Sequence, residues 1–110
     1  MAQSLNVNGL PAAALAAAAD FHARILAQAE DSLARDDLTL VFTPADHTHR
    51  GWRLAVVQAL ARAHTPRRVN AVESDSPAAI SAALTYLAAA PGVTGQVLRL
   101  DSHGAGPVVG

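Results

Sequence analysis

The chain has 110 residues, 51% of them apolar, and contains no cysteine. This length predicts one domain with a core of its own, and the missing cysteines exclude disulfides, zinc–thiolate sites and thiol catalysis. The formal net charge is -1 and the basic residues are scattered, whereas a nucleic-acid-binding surface needs clustered arginine and lysine.

The start of the chain gives no sign of export. Residues 1–9 are polar and lack the basic residues of a signal peptide. No stretch approaches the roughly 20 strongly apolar residues of a membrane span. We therefore expect a cytoplasmic protein that binds neither membranes nor nucleic acids.

The first predicted element is a long helix from about Pro11 to Arg35, preceded by a turn at residues 6–9. Apolar residues recur along one face at helical spacing, while i,i+4 ion pairs lie on the opposite face. A lone histidine on such an apolar face is more often an interface residue than a ligand. The apolar face comprises Leu15, Ala18, His22, Ile25, Leu26, Ala29 and Leu33.

Three short apolar runs alternate with helical segments after this helix. Leu38–Phe42, residues 67–72 and residues 95–101 read as strands, and the second of them is expected in the middle of the sheet. This order predicts an α/β fold with about three parallel strands, right-handed crossovers and helices on both faces. Residues 1–103 form the predicted domain, and residues 104–110 are expected to be a flexible tail.

The helix predicted from Trp52 to His64 carries apolar residues on two sides, with Trp52 and Val56 on one of them. Such a helix is expected to pack on its own sheet and on something else. The outer edges of a three-stranded sheet are also exposed unless they are covered. Both features favour a homodimer or homotetramer.

Two segments resemble ligand sites only superficially. His47 and His49, beside Asp46, are weak metal-ligand candidates, because a metal needs a third ligand held rigidly; we expect a solvated loop and no metal. The glycine-rich residues 104–110 follow the last strand and precede no helix, so they do not form a dinucleotide-binding loop.

Three motifs in the correct order resemble the C-terminal half of the short-chain dehydrogenase/reductase family. They are Asn-Val-Asn-Gly at 6–9, Arg-Val-Asn-Ala-Val at 68–72 and Thr-Gly-Gln at 94–96, the last of them followed by a strand that ends in Asp101. The resemblance implies a truncated, Rossmann-like three-layer fold. The family's glycine-rich cofactor-binding half has no counterpart in this sequence.

The resemblance also implies how the family's active-site positions have changed. Asn6 matches the family's asparagine, whereas Asp46 and Arg50 fall on the tyrosine and lysine of its Tyr-x-x-x-Lys motif. An aspartate replaces a phenol as general acid only if its pKa is greatly raised, and Arg50 would lower that pKa. The segment 73–75, which contains two acidic residues, lies where the family has a neutral turn beside its nicotinamide. We therefore expect no NAD(P) cofactor and no hydride transfer from this chain alone.

Three hypotheses remain open. In the first, a catalytically degenerate protein self-associates through its long helices, as members of the resembled family do, and has an interaction or structural role, with a protein partner also possible. The second is an oxidoreductase-related subunit that needs a partner for NAD(P) binding, or a new active site made of Asp46, His47, His49 and Arg50. The third is a gene remnant without function. For the first hypothesis, the interface residues are Leu15, His22, Leu26, Ala29, Leu33, Trp52 and Val56.

Overall fold

The computed structural model describes residues 3–101 and 104–109. The strands are β1 (Gln3–Val7), β2 (Leu38–Phe42), β3 (Val69–Glu73), β4 (Val97–Asp101) and β5 (Gly104–Val109). The helices are α1 (Ala14–Asp20), α2 (Leu26–Leu33), α3 (Arg50–Ala63) and α4 (Pro77–Ala88). A π-helical turn, Phe21–Ile25, joins α1 to α2, and we call residues 14–33 together the long helix.

The strands form one sheet in the order β1-β2-β3-β4-β5. Strands β1 to β4 are parallel and β5 is antiparallel to β4. The predicted α/β fold with a parallel sheet is confirmed, and β3 is its central strand. The sheet has more strands than expected, because the predicted turn at residues 6–9 begins inside β1 and most of the predicted flexible tail is β5.

Helices cover both faces of the sheet and create two separate cores. The long helix and α3 pack on one face, with Phe21, Leu40 and Val57 fully buried between the layers. Helix α4 packs on the other face, where Ala83 and Leu87 meet Val72. The predicted three-layer arrangement is therefore present. None of the helices in the described part of the chain has the length and apolar character needed to cross a membrane.

The third crossover differs in hand from the first two. Strands β1 to β4 follow one another in a single direction across the sheet, so the hand of each crossover depends only on the face that its helix covers. The long helix and α3 lie on one face and α4 lies on the other. Right-handed crossovers throughout, as expected from the sequence, would have placed all three helices on one face. That expectation is wrong for the β3–α4–β4 connection.

The π-helical turn changes which face of the long helix is buried. The buried residues recur at every fourth position: Ala17, Phe21, Ile25, Ala29 and Leu33. In a regular α-helix, which has 3.6 residues per turn, a four-residue spacing rotates the buried stripe steadily around the helix axis. The π turn has more residues per turn and compensates for this rotation, so the stripe keeps facing the sheet. The regular period used for the sequence prediction therefore placed Leu15 and His22 on the buried face, whereas both are exposed.

Candidate functional site

Parallel α/β sheets bind ligands at the carboxyl ends of their strands. In this chain that edge is formed by the segments after Val7, Phe42 and Glu73, and the N-terminal end of α3 lies beside it. The resembled family also has its active site at this edge. Its most distinctive feature is a group of charged side chains below the surface.

Glu73, the last residue of β3, lies between two arginines. Its Oε2 accepts a hydrogen bond from Arg53 Nη1 at 2.7 Å, and its Oε1 lies 3.3 Å from Arg99 Nε. The Arg53 and Glu73 side chains are only 4% and 7% exposed. The charge of Glu73 is thus neutralised within the protein. Glu73 therefore does not repel an anionic dinucleotide, although the acidic segment 73–75 had suggested that it would.

Arg53 is held on several sides. It projects from α3, and its Nη1 also donates to the carbonyl of Thr43, 2.9 Å away. Its guanidinium carbon lies 4.5 Å from the centroid of the Phe42 ring, a distance at which cation–π attraction operates. Arg53 Nε is the one buried side-chain nitrogen or oxygen that lacks a hydrogen-bond partner among the described residues. Arginine has five N–H donors, and this site leaves that one unpaired.

Next to Arg53 lies His49, which is buried and fully bonded. The indole N–H of Trp52 can only donate, and it lies 3.1 Å from His49 Nδ1. Nδ1 is therefore the acceptor, and Nε2 carries the proton that is donated to the Ala12 carbonyl at 2.9 Å. Neither ring nitrogen is free for a metal. Trp52 is anchored in turn by ring contacts with Phe21 and Phe42, with centroids 5.6 Å away in both cases.

A shallow cleft of about 260 Å³ opens above these residues. Thr43, Asp46, His49 and Arg53 supply its polar lining. Asp46 caps the short turn that precedes α3, because its carboxylate accepts from the hydroxyl and the backbone N–H of Thr48. These hydrogen bonds lower the pKa of Asp46, so the carboxyl group is ionised at neutral pH and has no proton to donate.

The other predicted site residues do not converge on this cleft. Asn6 is exposed near the end of β1 and does not open the long helix, which starts at Ala14. Arg50 is exposed at the first position of α3, and His47 is exposed in the turn before it. Within the described residues, no three histidine or acidic side chains come together in a way that could hold a metal ion.

The predicted interface residues divide into two groups. Ala29, Leu33 and Val56 are buried in the core of the chain itself, and Trp52 is partly buried there. Ala29, Leu33 and Val56 are therefore not available as an interface surface. Leu15 is 89% exposed, His22 is exposed, and Leu26 is partly exposed.

The Arg53–Glu73–Arg99 group was missed at the sequence level, although two patterns pointed to it. Arg53 occupies the same stripe of α3 as Val56, Val57 and Leu60, which is the spacing of a buried face. Glu73 lies two residues after Ala71 and so faces the same side of the sheet. A charged residue on each of two buried faces predicts an ion pair.

A family model described as "SDR-like: Short chain dehydrogenase-like protein" matches residues 5–100. This chain belongs to the short chain dehydrogenase-like family. The resemblance stated from the sequence motifs is thereby confirmed. No curated protein and no solved structure matches the chain.

The residues present do not fit the nicotinamide dinucleotide that this family name implies. Dinucleotide sites use a glycine-rich β–α turn whose helix N-terminus meets the pyrophosphate. In the described chain, the β–α turns at 8–13, 43–49 and 74–76 contain a single glycine, Gly9. The carboxyl end of β3 is filled by the Arg53–Glu73 pair. We therefore derive no hydride-transfer step for this chain.

Proposed function

We propose that this short chain dehydrogenase-like chain performs no hydride transfer of its own and works in the cytoplasm as a self-associating interaction protein. Its copies would dock through the outer face of the long helix and α3 to form a homodimer or homotetramer. The observation that carries this proposal is the apolar, small-residue surface on that face, with Leu15 exposed at one end of it.

The outer face allows another helix to approach closely. Ala19, Ala23 and Ala27 are exposed along the long helix, and Ala55 and Ala59 are exposed on α3. Alanine leaves the backbone accessible to a partner, while Leu15 and Leu26 supply larger apolar contacts. The charged neighbours Asp20 and Arg24 neutralise each other through a 2.7 Å ion pair. The surface therefore lets another helix approach closely and gives it apolar contacts with little net charge.

The loss of hydride chemistry is supported by the state of the acidic groups at the carboxyl edge. A general acid must keep a proton at neutral pH and present it to a substrate. Asp46 is used as a cap with a lowered pKa, and the Glu73 carboxylate is held by two arginines. Neither of these groups can take over the role of the family's tyrosine.

The proposal is tested by placing a charge on the outer helical face. Ala23→Glu puts a carboxylate in the middle of the expected interface and should reduce the association constant at least tenfold in sedimentation equilibrium. Ala82→Glu is the matched control, since it makes the same change at an exposed alanine of α4 on the opposite side of the sheet. Equal association of both variants and the wild type would refute the helical interface.

A second function is favoured by the unpaired Arg53 Nε beneath the cleft. We propose as the alternative an oxidoreductase-related subunit, in which a partner supplies the nucleotide-binding half or residues 46–50 form a new site. Fluorescence titration with NADPH, alone and with a neighbouring gene product, distinguishes this function from the first. Binding that Arg50→Ala weakens would favour the subunit, whereas the first proposal expects no binding.

A further inference from the structure

The two edges of the sheet are protected to different degrees. An open edge strand invites pairing with another chain, and proteins commonly guard it with charges, proline or a bulge. Strand β5 contains Pro107 and pairs irregularly with β4 between Leu98 and Leu100. Strand β1 has none of these devices: Gln3–Val7 contains no charge and no proline, and its register with β2 is regular throughout.

The outward-pointing backbone groups of β1 can be identified. Gln3 N–H donates to the carbonyl of Asp37, the residue just before β2, so the backbone groups of Gln3 point toward β2. Successive residues of a strand direct these groups to alternate sides. Ser4 and Asn6 therefore present their N–H and C=O groups to the free edge, where no strand of the described chain lies.

We propose that β1 pairs with β1 of a second copy of this chain, antiparallel, about a two-fold axis at Leu5. In this register Ser4 lies opposite Asn6 of the second copy, and each such pair exchanges two backbone hydrogen bonds. Leu5 lies opposite Leu5 as a non-hydrogen-bonded pair, the position where side chains come closest. The two sheets join into one continuous sheet of twice the width.

The side chains of β1 match themselves in this register. Leu5 faces the helix-covered side and is only partly buried against the core, so a second leucine beside it extends that core. Ser4 and Asn6 are exposed on the other side, where a hydroxyl meets a carboxamide. A register shifted by one residue would place the apolar side chains of one copy beside the polar side chains of the other, and the proposed register avoids this.

The charges near the ends of β1 permit this approach. Near Gln3, Asp37 is paired with Arg68 at 3.0 Å. At the other end, Arg24 reaches the carbonyl of Asn8 and is paired with Asp20. In an antiparallel dimer one end meets the other, so these two ion pairs, each neutral overall, face each other.

This interface does not depend on the helical interface under "Proposed function" and uses different residues. With both present, each copy has two different self-complementary surfaces, which is what a tetramer built from two kinds of dimer contact requires. The two interfaces are tested by separate variants, so that either can fail without the other.

Disulfide trapping tests the register directly, because the natural chain has no cysteine. Leu5→Cys places two thiols opposite each other across the two-fold axis, and mild oxidation should convert most of the full-length protein into covalent dimer. Ser4→Cys is the matched control. Its two thiols would belong to Cα atoms roughly 9 Å apart, beyond the limit of about 7 Å for a disulfide, so little covalent dimer should form.

The proposal is overturned if the two cysteine variants form covalent dimer equally, or if Leu5→Cys forms none. If β1 pairs with a strand of another protein and not with a second copy, Leu5→Cys forms no covalent dimer. Ser4→Pro provides a second measurement. It removes an outward N–H without touching the β1–β2 ladder and should weaken association at least tenfold in sedimentation equilibrium, whereas Ser4→Ala should not. Both experiments are repeated with the Ala23→Glu substitution added, which disrupts the helical interface. The contribution of the β1 interface is then measured separately from that of the helical interface.

Discussion

Two arginine–carboxylate pairs lie at opposite ends of the sheet. They differ in how completely the donors of the arginine are paired in hydrogen bonds. At the amino end, Asp37 accepts from the backbone N–H and Nε of Arg68, while Arg68 Nη1 donates to the carbonyls of Leu87 and Ala90. At the carboxyl end, the Arg53–Glu73 pair is more deeply buried, and Arg53 Nε has no partner.

The Arg68–Asp37 pair acts as a structural clamp, whereas the Arg53–Glu73 pair fills a site. Arg68 ties the start of two strands to the carbonyl of Leu87 in the last turn of α4 and to that of Ala90 just after the helix, where a positive charge also complements the helix dipole. Arg53 and Glu73 lie where parallel sheets receive ligands, and burying such a pair adds little net stability because both charges lose water. The first pair supports the fold, and the second closes the edge at which chemistry would be expected.

The largest expected effect comes from unbalancing the buried pair. Glu73→Gln leaves the buried Arg53 without its counter-charge and should lower the free energy of unfolding by about 3–5 kcal/mol, measured by urea denaturation. The double variant Arg53→Met with Glu73→Gln removes both charges and should recover most of that loss. If the double variant is less stable than Glu73→Gln, the pair supports the fold directly and the contrast with Arg68 fails.

A smaller loss is expected at the other end of the sheet. Arg68→Ala removes the ion pair with Asp37 and the hydrogen bonds to the carbonyls of Leu87 and Ala90, and should lower the free energy of unfolding by about 1–3 kcal/mol. Arg68→Lys should rescue only part of it, because an ammonium group cannot reproduce the geometry of the guanidinium. Hydrogen exchange should locate the change in the last turn of α4. A change confined to the carboxyl edge would contradict the clamp.

The smallest effect concerns Asp46 and depends on pH. Because its pKa is lowered in the folded protein, its charge stabilises the fold above the ordinary carboxyl value of 3.8, and this contribution disappears as the pH falls through the lower folded pKa. The difference in melting temperature between wild type and Asp46→Asn should therefore be present at pH 7 and vanish in acid. Thr48→Val, which keeps only the backbone donor, should show part of this pH dependence. A difference that grows in acid would be inconsistent with the capping role.

The sequence predicted the inner strands well because their apolar character is continuous. β2 has the predicted bounds, and β3 is central. β1 escaped detection because an edge strand with one solvated face shows only Leu5 and Val7 as apolar signals. The buried face of the long helix was misplaced because a π turn cannot be read from a regular 3.6-residue period.

The charged group at the carboxyl edge depends on tertiary structure. Arg53, Glu73 and Arg99 come from a helix and two strands, and only the fold brings them into contact. In the sequence, Glu73 looked like the start of an acidic loop. The contacts with two arginines reverse that interpretation of Glu73.

Both proposed interfaces require that this chain associates with itself. The most direct test is the molar mass of the full-length wild-type protein, measured by light scattering during size-exclusion chromatography over a series of loading concentrations. One chain has a mass of 11.3 kDa, and we predict a particle of at least twice that mass. A particle with the mass of one chain at every concentration would contradict self-association.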